Sequence, residues 1–222
     1  MEVARAWVGT GTPAIPEELA QLLDSHELTR GFVCEEAYPE HVTRLDEFRG
    51  EHRSHDLLLV GSADGRKTVV GVEGKNDESF GPVVGTYHAD KQSGDAPSKV
   101  PDRIDQLVAT LFGSGLEPVA HLRYQLLTAS VGTLIEAQQR GAEQAVLVVH
   151  VFRAPDSDPT KVATNAADYG AFVRSFDSTA ASDDGVVAGP FTVPGSDIPL
   201  LIGKATTDLT ARRSTHSLLG DA

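Results

Sequence analysis

The sequence predicts an α/β fold in which a mixed central sheet carries helices on both of its faces. Two apolar runs, at residues 57–60 and 68–72, are typical of the two strands of a hairpin. Residues 121–140 repeat their apolar positions with the helical period, and Gly141 ends the pattern. Residues 145–152 form a continuous apolar run, which is typical of a strand buried between two layers. A right-handed crossover from the second hairpin strand through the long helix would make this later strand parallel to it.

The turn of the hairpin determines which side chains meet. Asp64-Gly65 is a characteristic dipeptide of a two-residue turn between antiparallel strands. Residues equally distant from such a turn face each other, so we expect Asp56 opposite Glu73 with their Cβ atoms about 5 Å apart. Lys75 shares the face of Glu73 because side-chain direction repeats at every second residue. The hairpin therefore brings two carboxylates and an amine together.

These three charged side chains have two interpretations. Charges at the ends of strands often form a solvated rim, but both strands here are apolar on both faces, and an exposed amphipathic surface does not explain the charges. Two carboxylates at this separation suit a hard cation, Mg²⁺ or Mn²⁺, with carbonyls, waters and phosphate oxygens in its other positions. Such an ion lowers the pKa of a water and neutralises charge on phosphorus, while a nearby lysine orients the water. The second interpretation predicts phosphodiester hydrolysis.

The same residues carry a resemblance to a known group of enzymes. Asp56 followed by Glu73-Gly74-Lys75 at the end of the next strand resembles the D…(D/E)-x-K core of the PD-(D/E)XK, or restriction-endonuclease-like, nuclease superfamily. The usual proline before the aspartate is His55 here, which leaves the metal chemistry intact. The resemblance implies a restriction-endonuclease-like sheet flanked by helices, metal binding by Asp56 and Glu73, a catalytic role for Lys75, and a nucleic acid, such as DNA, as substrate.

Further site residues follow from the same resemblance. Several branches of the superfamily place a glutamine on the helix after the E-x-K strand, and Gln125 matches it, with Arg123 beside it as a phosphate contact. The helix before the sheet often adds one more acidic metal ligand, which Glu36 or Glu40 would supply. Residues 70–81 also resemble an uncharacterised bacterial family in which Glu-x-Lys precedes an acidic residue and Phe-Gly, and no activity comes with that similarity.

The charge balance weakens the case for a nucleic-acid partner. The formal net charge is −13, whereas phosphate binding depends on Lys and Arg releasing counterions. Two alternatives therefore remain open: a module with the nuclease fold but no activity, and a metal-dependent hydrolase of a small phosphorylated substrate. Basic residues do cluster in the middle of the sequence, at Arg49, Arg53, Arg66, Lys67, Lys75, Lys91, Lys99, Arg103 and Arg123.

The length predicts one domain, at residues 1–206 with its core at about 32–152, followed by a frayed tail at 207–222. The single cysteine, Cys34, excludes an internal disulfide and a cysteine-based zinc site, and we expect it to be a packing residue. The sequence contains neither a long apolar run nor a signal-peptide pattern, so we expect a cytoplasmic protein without membrane contact. Homo-oligomerisation stays open.

The other segments predict shorter elements. Residues 17–23 and 102–112 have the apolar spacing and end signals of helices, and a further short helix is expected around 169–176. Residues 35–46 suggest part helix and part loop, and the polar segment 87–101 suggests a loop. Residues 199–203 predict a last strand, at a sheet edge because of the prolines nearby.

Overall fold

The computed structural model describes residues 15–48, 52–94 and 96–209, which form one mixed six-stranded sheet flanked by helices. The strands are β1 (Val33–Thr43), β2 (Arg53–Ala63), β3 (Arg66–Lys75), β4 (Gln144–Arg153), β5 (Val187–Phe191) and β6 (Leu200–Asp208). The helices are α1 (Glu17–Asp24), α2 (Val84–Ser93), α3 (Val100–Phe112), α4 (Tyr124–Gln139) and α5 (Pro159–Arg174), with a 3₁₀ turn at Glu117–Val119.

The strands follow one another across the sheet in the order β1-β2-β3-β4-β6-β5. The first three form an antiparallel meander, β3, β4 and β6 are parallel, and β5 pairs antiparallel with β6 at the far edge. The long helix α4 connects β3 to β4, as the sequence predicts for parallel strands that need a crossover. The predicted mixed α/β architecture is therefore confirmed.

The predicted hairpin turn is also confirmed. Asp64 and Gly65 both have positive φ, 51° and 75°, as a type I′ turn requires. The register runs from Ala63–Arg66 to Leu57–Val72 without a shift, so the next opposed positions are Asp56 and Glu73. The local sequence thus determines the pairing on which the site depends.

The sheet separates two hydrophobic cores. Side chains of α1 pack on one face, where Cys34 is a buried packing residue as predicted. Side chains of α3, α4 and α5 pack on the opposite face. Successive residues of β2 alternate between the cores, with Leu57 and Leu59 on the α1 side and Leu58 and Val60 on the α4 side. Both faces of the central strands are covered, which explains their nearly continuous apolar sequence.

Several expected elements differ in the structure. Residues 35–46 are not part helix: β1 covers them to Thr43, since pairing with β2 outweighs the helical preference of the glutamates. The segment 87–101 is not a loop either, because it contains most of α2 and the start of α3. Val84 anchors α2 in the core, and its amide donates to Leu122 O at 2.8 Å.

The last strand was expected at an edge, and that prediction is wrong. β6 lies between β4 and β5, and the short strand β5, which the sequence pattern did not reveal, forms the edge. Pro199 precedes β6, so it removes no hydrogen bond from the interior of the strand.

The ends of two helices and of the core also differ from the prediction. Helix α4 begins at Tyr124 rather than at 121, and α5 is longer than expected because Asp158 caps it through the Thr160 amide at 2.8 Å. The central sheet extends beyond the expected core to residue 208, and residues 210–222 of the predicted tail lie outside the described residues. Among the described residues, no helix has the length and apolar character needed to cross a membrane.

Candidate active site at the end of strand β3

The site is built where the side-chain alternation of β2 breaks. Leu57 points to the α1 side, yet His55 lies against α4, where its Nε2 would be 2.9 Å from a Cβ added at Gly132. Arg53 also contacts this position, with its Cγ at 3.1 Å from the same added Cβ. In the partner strand, Glu40 has a φ of 50° at the level of Asp56. The two strands deform together, and the start of β2 turns toward the helix.

Asp56 occupies the point at which the β2–β3 ladder ends. The last paired residues are Leu57 and Val72, and beyond them Asp56 Oδ2 accepts a hydrogen bond from the Gly74 amide at 2.7 Å. Burial raises the pKa of Asp56, and the nearby carboxylate of Glu73 raises it further, whereas the Gly74 amide, Arg53 and Lys75 act in the opposite direction. The net effect is a pKa of Asp56 above its ordinary value.

Glu73 is a buried carboxylate between two cations. Its side chain is 4% exposed, and its Oε1 lies 2.8 Å from Lys75 Nζ while its Oε2 accepts a hydrogen bond from Arg53 Nη2. Both cations are themselves buried, and their pairing with Glu73 offsets part of the cost of taking these charges out of water. Beside them the His55 imidazole is neutral, since burial, with the charges of Arg53 and His41, lowers its pKa to about 3.

Lys75 connects this cluster to helix α4. Its Nζ donates to Gln125 Oε1 at 3.0 Å and lies 5.5 Å from the centre of the Phe80 ring. The backbone N–H of Gln125 in turn donates to Phe80 O at 3.1 Å, and this hydrogen bond attaches the first turn of α4 to the segment after β3. The ammonium group is thus held in one place from three directions.

The segment that follows β3, residues 76–78, packs against the start of α5 and the residues before it. Ser157 Oγ donates to Asn76 Oδ1 at 2.7 Å, and Asn165 Nδ2 donates to Glu78 O at 2.8 Å. Asp77 accepts the Asp158 amide at 3.3 Å. These contacts give the segment a supporting role, and they direct Asp77 toward α5.

A cleft of about 820 Å³ lies beside the cluster. Arg53 and Gln125 belong both to its wall and to the contacts of Glu73 and Lys75. No Asp or Glu is among the described residues that line it. The described residues that line the cleft are Leu45, His52, Arg53, Ser54, Gly81, Pro82, Tyr87, Pro97, Ser98, Lys99, Val100, Arg103, Tyr124, Gln125 and Thr128.

The structure assembles four of the six residues that the sequence singled out. The four that come together are Asp56, Glu73, Lys75 and Gln125. The other two, Arg123 and Glu36, lie outside this cluster. Arg123 caps the start of α4 but pairs with Asp168 at 2.8 Å and donates to Gly81 O at 3.2 Å.

Glu36 does not join the cluster. It lies on β1 opposite Val60, four residues along β2 from Asp56, which corresponds to about 13 Å. Its carboxylate accepts a hydrogen bond from Tyr38. The segment expected to be a helix is the strand β1, and this strand places Glu36 away from Asp56 and Glu40 at the level of Asp56.

Arg53 is the site residue that sequence reasoning missed. Strict alternation would put it on the face of Leu57, away from Glu73, and only the break beside Asp56 brings it across. The sequence signals this break only weakly, through Pro39 in the partner strand.

The donor set agrees with a hard cation in type but not in number. Asp56 and Glu73 supply carboxylate oxygens side by side, which is the chemistry that Mg²⁺ or Mn²⁺ requires. Within the described ranges, however, no group of three or more His, Cys, Asp or Glu residues is arranged to hold an ion. Two carboxylates must therefore be supplemented by backbone carbonyls, waters or substrate oxygens.

The fold and the site define a mixed α/β protein with a buried acid–base cluster at the side of a cleft. The chain belongs to the family described as Domain of unknown function (DUF6946), whose model matches residues 1–209. Neither the curated proteins nor the solved structures contain a match.

Proposed function

We propose that this protein is a metal-dependent nuclease-like enzyme that hydrolyses phosphodiester bonds of nucleic acid, with Mg²⁺ or Mn²⁺ as cofactor. The observation that carries the proposal is the convergence of Asp56, Glu73 and Lys75, with Gln125 hydrogen-bonded to the lysine, at the side of a cleft. The predicted cytoplasmic location agrees with such a substrate.

The proposed chemistry assigns a role to each residue. Asp56 and Glu73 would hold the cation, which when bound supplies charge neutralisation at phosphorus and acidifies a water. Lys75 Nζ, fixed by Gln125 Oε1 at 3.0 Å, would orient the attacking water or donate to a phosphate oxygen. The water oxygen bonds phosphorus, the bond to the leaving sugar oxygen breaks, and that oxygen takes up a proton. The products are an alcohol and a phosphate monoester.

The order of the elements supports the proposal. An antiparallel meander β1-β2-β3, then a helix that crosses to a parallel β4, is the arrangement that we expect of a restriction-endonuclease-like core. Asp56 and Glu73 occupy the two central strands of that unit, at the ends that open toward α4.

The cleft supports a phosphate-containing substrate. Arg53, Lys99 and Arg103 lie along a wall whose described residues include no acidic side chain, although the whole chain is strongly acidic. Each of these cations is also paired with a carboxylate, Glu73, Asp102 or Asp46, so the wall provides a weak local attraction for phosphate while salt screens the more distant negative charges.

A second candidate is a module that keeps the fold without activity. One observation favours it: both oxygens of Glu73 already have a cationic partner within the protein, Arg53 and Lys75, so this carboxylate is compensated without any ion. The net charge of −13 also disfavours a nucleic-acid partner.

The test is a cleavage assay with Mg²⁺, Mn²⁺ or excess chelator, on labelled single-stranded and double-stranded DNA and RNA. We expect metal-dependent cleavage by the wild type and at least a ~100-fold loss in Asp56→Asn, Glu73→Gln and Lys75→Met, because each removes a group from the reacting centre. Glu36→Gln is the matched control, since its carboxylate lies outside the cluster, and it should keep full activity.

Other results of the cleavage assay would point to another site or to another function. Cleavage that survives Lys75→Met belongs to another site and contradicts the proposal. Hydrolysis restricted to nucleotides or other small phosphodiesters indicates a hydrolase of small substrates. Absence of all hydrolysis, with folding intact, indicates the inactive module.

A further inference from the structure

Arg53 is ion-paired with Glu73, the carboxylate that the proposed metal would need as a ligand. Its Nη2 donates to Glu73 Oε2, while Lys75 holds the other oxygen of the same group at 2.8 Å. The Arg53 side chain is 8% exposed. Both oxygens of Glu73 thus carry a positively charged partner that belongs to the protein itself.

The fold places Arg53 there at a cost in hydrogen bonding. A guanidinium group has five N–H donors, and a buried one is usually satisfied by bidentate pairing. Arg53 Nε is buried and has no hydrogen-bond partner among the described residues. Glu73 supplies the charged contact that holds the guanidinium inside.

Arg53 also has an open route outward. It lines the cleft of about 820 Å³, so its side chain borders space into which a flexible arginine can turn. In that position the guanidinium would face a substrate in the cleft, where its planar donors suit phosphate oxygens. The same residue therefore has two environments, one on Glu73 and one in the cleft.

We propose that Arg53 is an internal counter-cation that competes with the divalent metal for Glu73 and turns into the cleft when the metal binds. This inference rests on the proposed function, because it takes the metal site at Asp56 and Glu73 as given. A guanidinium and a divalent cation on one carboxylate oxygen repel each other strongly in a buried site, so occupation by one opposes the other. Metal binding and the cleft-facing arginine are thereby coupled.

Direct titration of Mn²⁺ by calorimetry, without substrate, tests the competition. We expect Arg53→Met to bind Mn²⁺ at least ~10-fold more tightly than the wild type, because the competing charge is gone while the aliphatic stem remains. Lys99→Gln is the matched control: it removes a cation from the same cleft whose partner is Asp102 at 2.8 Å rather than Glu73. Its Mn²⁺ affinity should change less than ~3-fold, and Glu73→Gln should abolish binding.

A second measurement uses the wild type alone and so does not depend on whether Arg53→Met folds. Arginine-specific dicarbonyl labelling, followed by peptide mass spectrometry, reports the accessibility of Arg53. We expect its labelling to rise at least ~3-fold on addition of Mn²⁺, since a guanidinium that leaves Glu73 enters the open cleft.

The failures of the two proposals are distinguishable. Mn²⁺ binding that is equally tight or weaker in Arg53→Met, or labelling that does not rise, overturns the competition and leaves the metal site standing. Absence of Mn²⁺ binding in both the wild type and folded Arg53→Met overturns the metal site and the competition together. Binding by Arg53→Met alone supports the competition in its strongest form.

Discussion

At the scale of single residues, the buried charges of the described segments lie where opposite charges meet. The cluster at Glu73 is one case, and a second lies beside it at the edge strand β1, where Glu136 of α4 contacts His41 and Thr43. Its Oε1 accepts Thr43 Oγ1 at 2.7 Å and His41 Nε2 at 2.9 Å, and its Oε2 accepts Arg140 Nε at 3.1 Å. The pair of contacts with β1 attaches the helix to the edge of the sheet.

Glu136 predicts a pH-dependent contribution to stability. Burial opposes ionisation of this carboxyl group, but the hydrogen bonds from Thr43, His41 and Arg140 outweigh it and lower its pKa below the ordinary 4.5. A lowered carboxyl pKa contributes stability that is complete above the unfolded pKa and is lost as the pH falls through the folded pKa. We expect Glu136→Gln to reduce the free energy of unfolding by about 2 kcal/mol at pH 7. The deficit should shrink below pH 4.5, as the wild-type carboxylate becomes protonated.

Urea unfolding of both proteins between pH 7 and pH 3.5 measures this difference directly. Glu117→Gln is the control, because Glu117 is exposed at the 3₁₀ turn, and it should stay within ~0.5 kcal/mol of the wild type at every pH. A Glu136→Gln deficit that does not vary with pH would contradict the role of the ionised carboxylate.

Residue identities predicted the opposed acids and their lysine well, but not the arginine. Asp56, Glu73 and Lys75 followed from a strict rule, the two-residue periodicity counted outward from the Asp64-Gly65 turn. Arg53 lies beyond the point at which that rule fails, since the deformation beside Glu40 depends on how β1 pairs with β2, which the pattern of either strand alone does not show. Glycine would have marked the positive φ, and glutamate does not.

At the scale of elements, the position of α4 depends on two glycines that let it approach the sheet. A Cβ added at Gly71 of β3 would overlap Thr133 Oγ1 of the helix, and one added at Gly132 would be 2.9 Å from His55 Nε2. The helix therefore lies close enough for Gln125 to reach Lys75 at 3.0 Å. The glycines that allow the helix to pack closely on the sheet therefore also determine the geometry of the site.

Gly71→Ala is expected to destabilise the protein by about 1–3 kcal/mol, because the new methyl group overlaps Thr133 in a close-packed layer. Thr133 is unable to rotate away freely, since its hydroxyl donates to Ala129 O at 2.8 Å and its β-branch restricts χ1. Adding Thr133→Ala should recover part of this loss. The measurement is a double-mutant cycle from urea unfolding, in which a favourable coupling of at least ~0.5 kcal/mol is expected.

Additive effects in that cycle would show that the strand, rather than the helix contact, suffers from the substitution. Gly65→Ala provides a contrast, because no atom lies within 4 Å of its added Cβ and its cost arises from the positive φ of 75° alone. Thr133→Ala should therefore leave the cost of Gly65→Ala unchanged.

Elements with a clear local apolar pattern could be predicted from the sequence, whereas elements fixed by contacts with other parts of the chain could not. The strands with continuous apolar runs and the helices with a clear stripe, such as α3, could be read from the sequence. Helix α2 could not, because its polar sequence shows no stripe and is fixed by contacts with residues 120–122. The interior place of β6 depends on the unforeseen edge strand β5.

At the scale of the whole molecule, a net charge of −13 coexists with a cleft wall that presents cations. Charges separated by more than about 10 Å are largely screened at 0.1 M salt, so the local wall rather than the total charge governs contact with a phosphate. Three cations line the described wall: Arg53, Lys99 and Arg103. Arg103 is in addition bound to Asp46 at 2.5 Å, and Lys99 is the more exposed of the two. A phosphate-containing substrate of the proposed kind would therefore be attracted weakly and locally.

This charge distribution predicts a shallow salt dependence of nucleic-acid binding. With at most three phosphates neutralised, the logarithm of the binding constant should fall with the logarithm of salt concentration with a slope no steeper than about −3. Fluorescence anisotropy of labelled oligonucleotides in chelator, which separates binding from metal-dependent cleavage, measures it. Lys99→Gln should make the slope shallower by about 1. The control Lys67→Gln changes a cation on β3 whose Nζ donates to Arg140 O at 2.7 Å, outside the residues that line the cleft, and should have no effect. A slope near −6, or one that Lys99→Gln does not change, would mean that nucleic acid binds to a different surface.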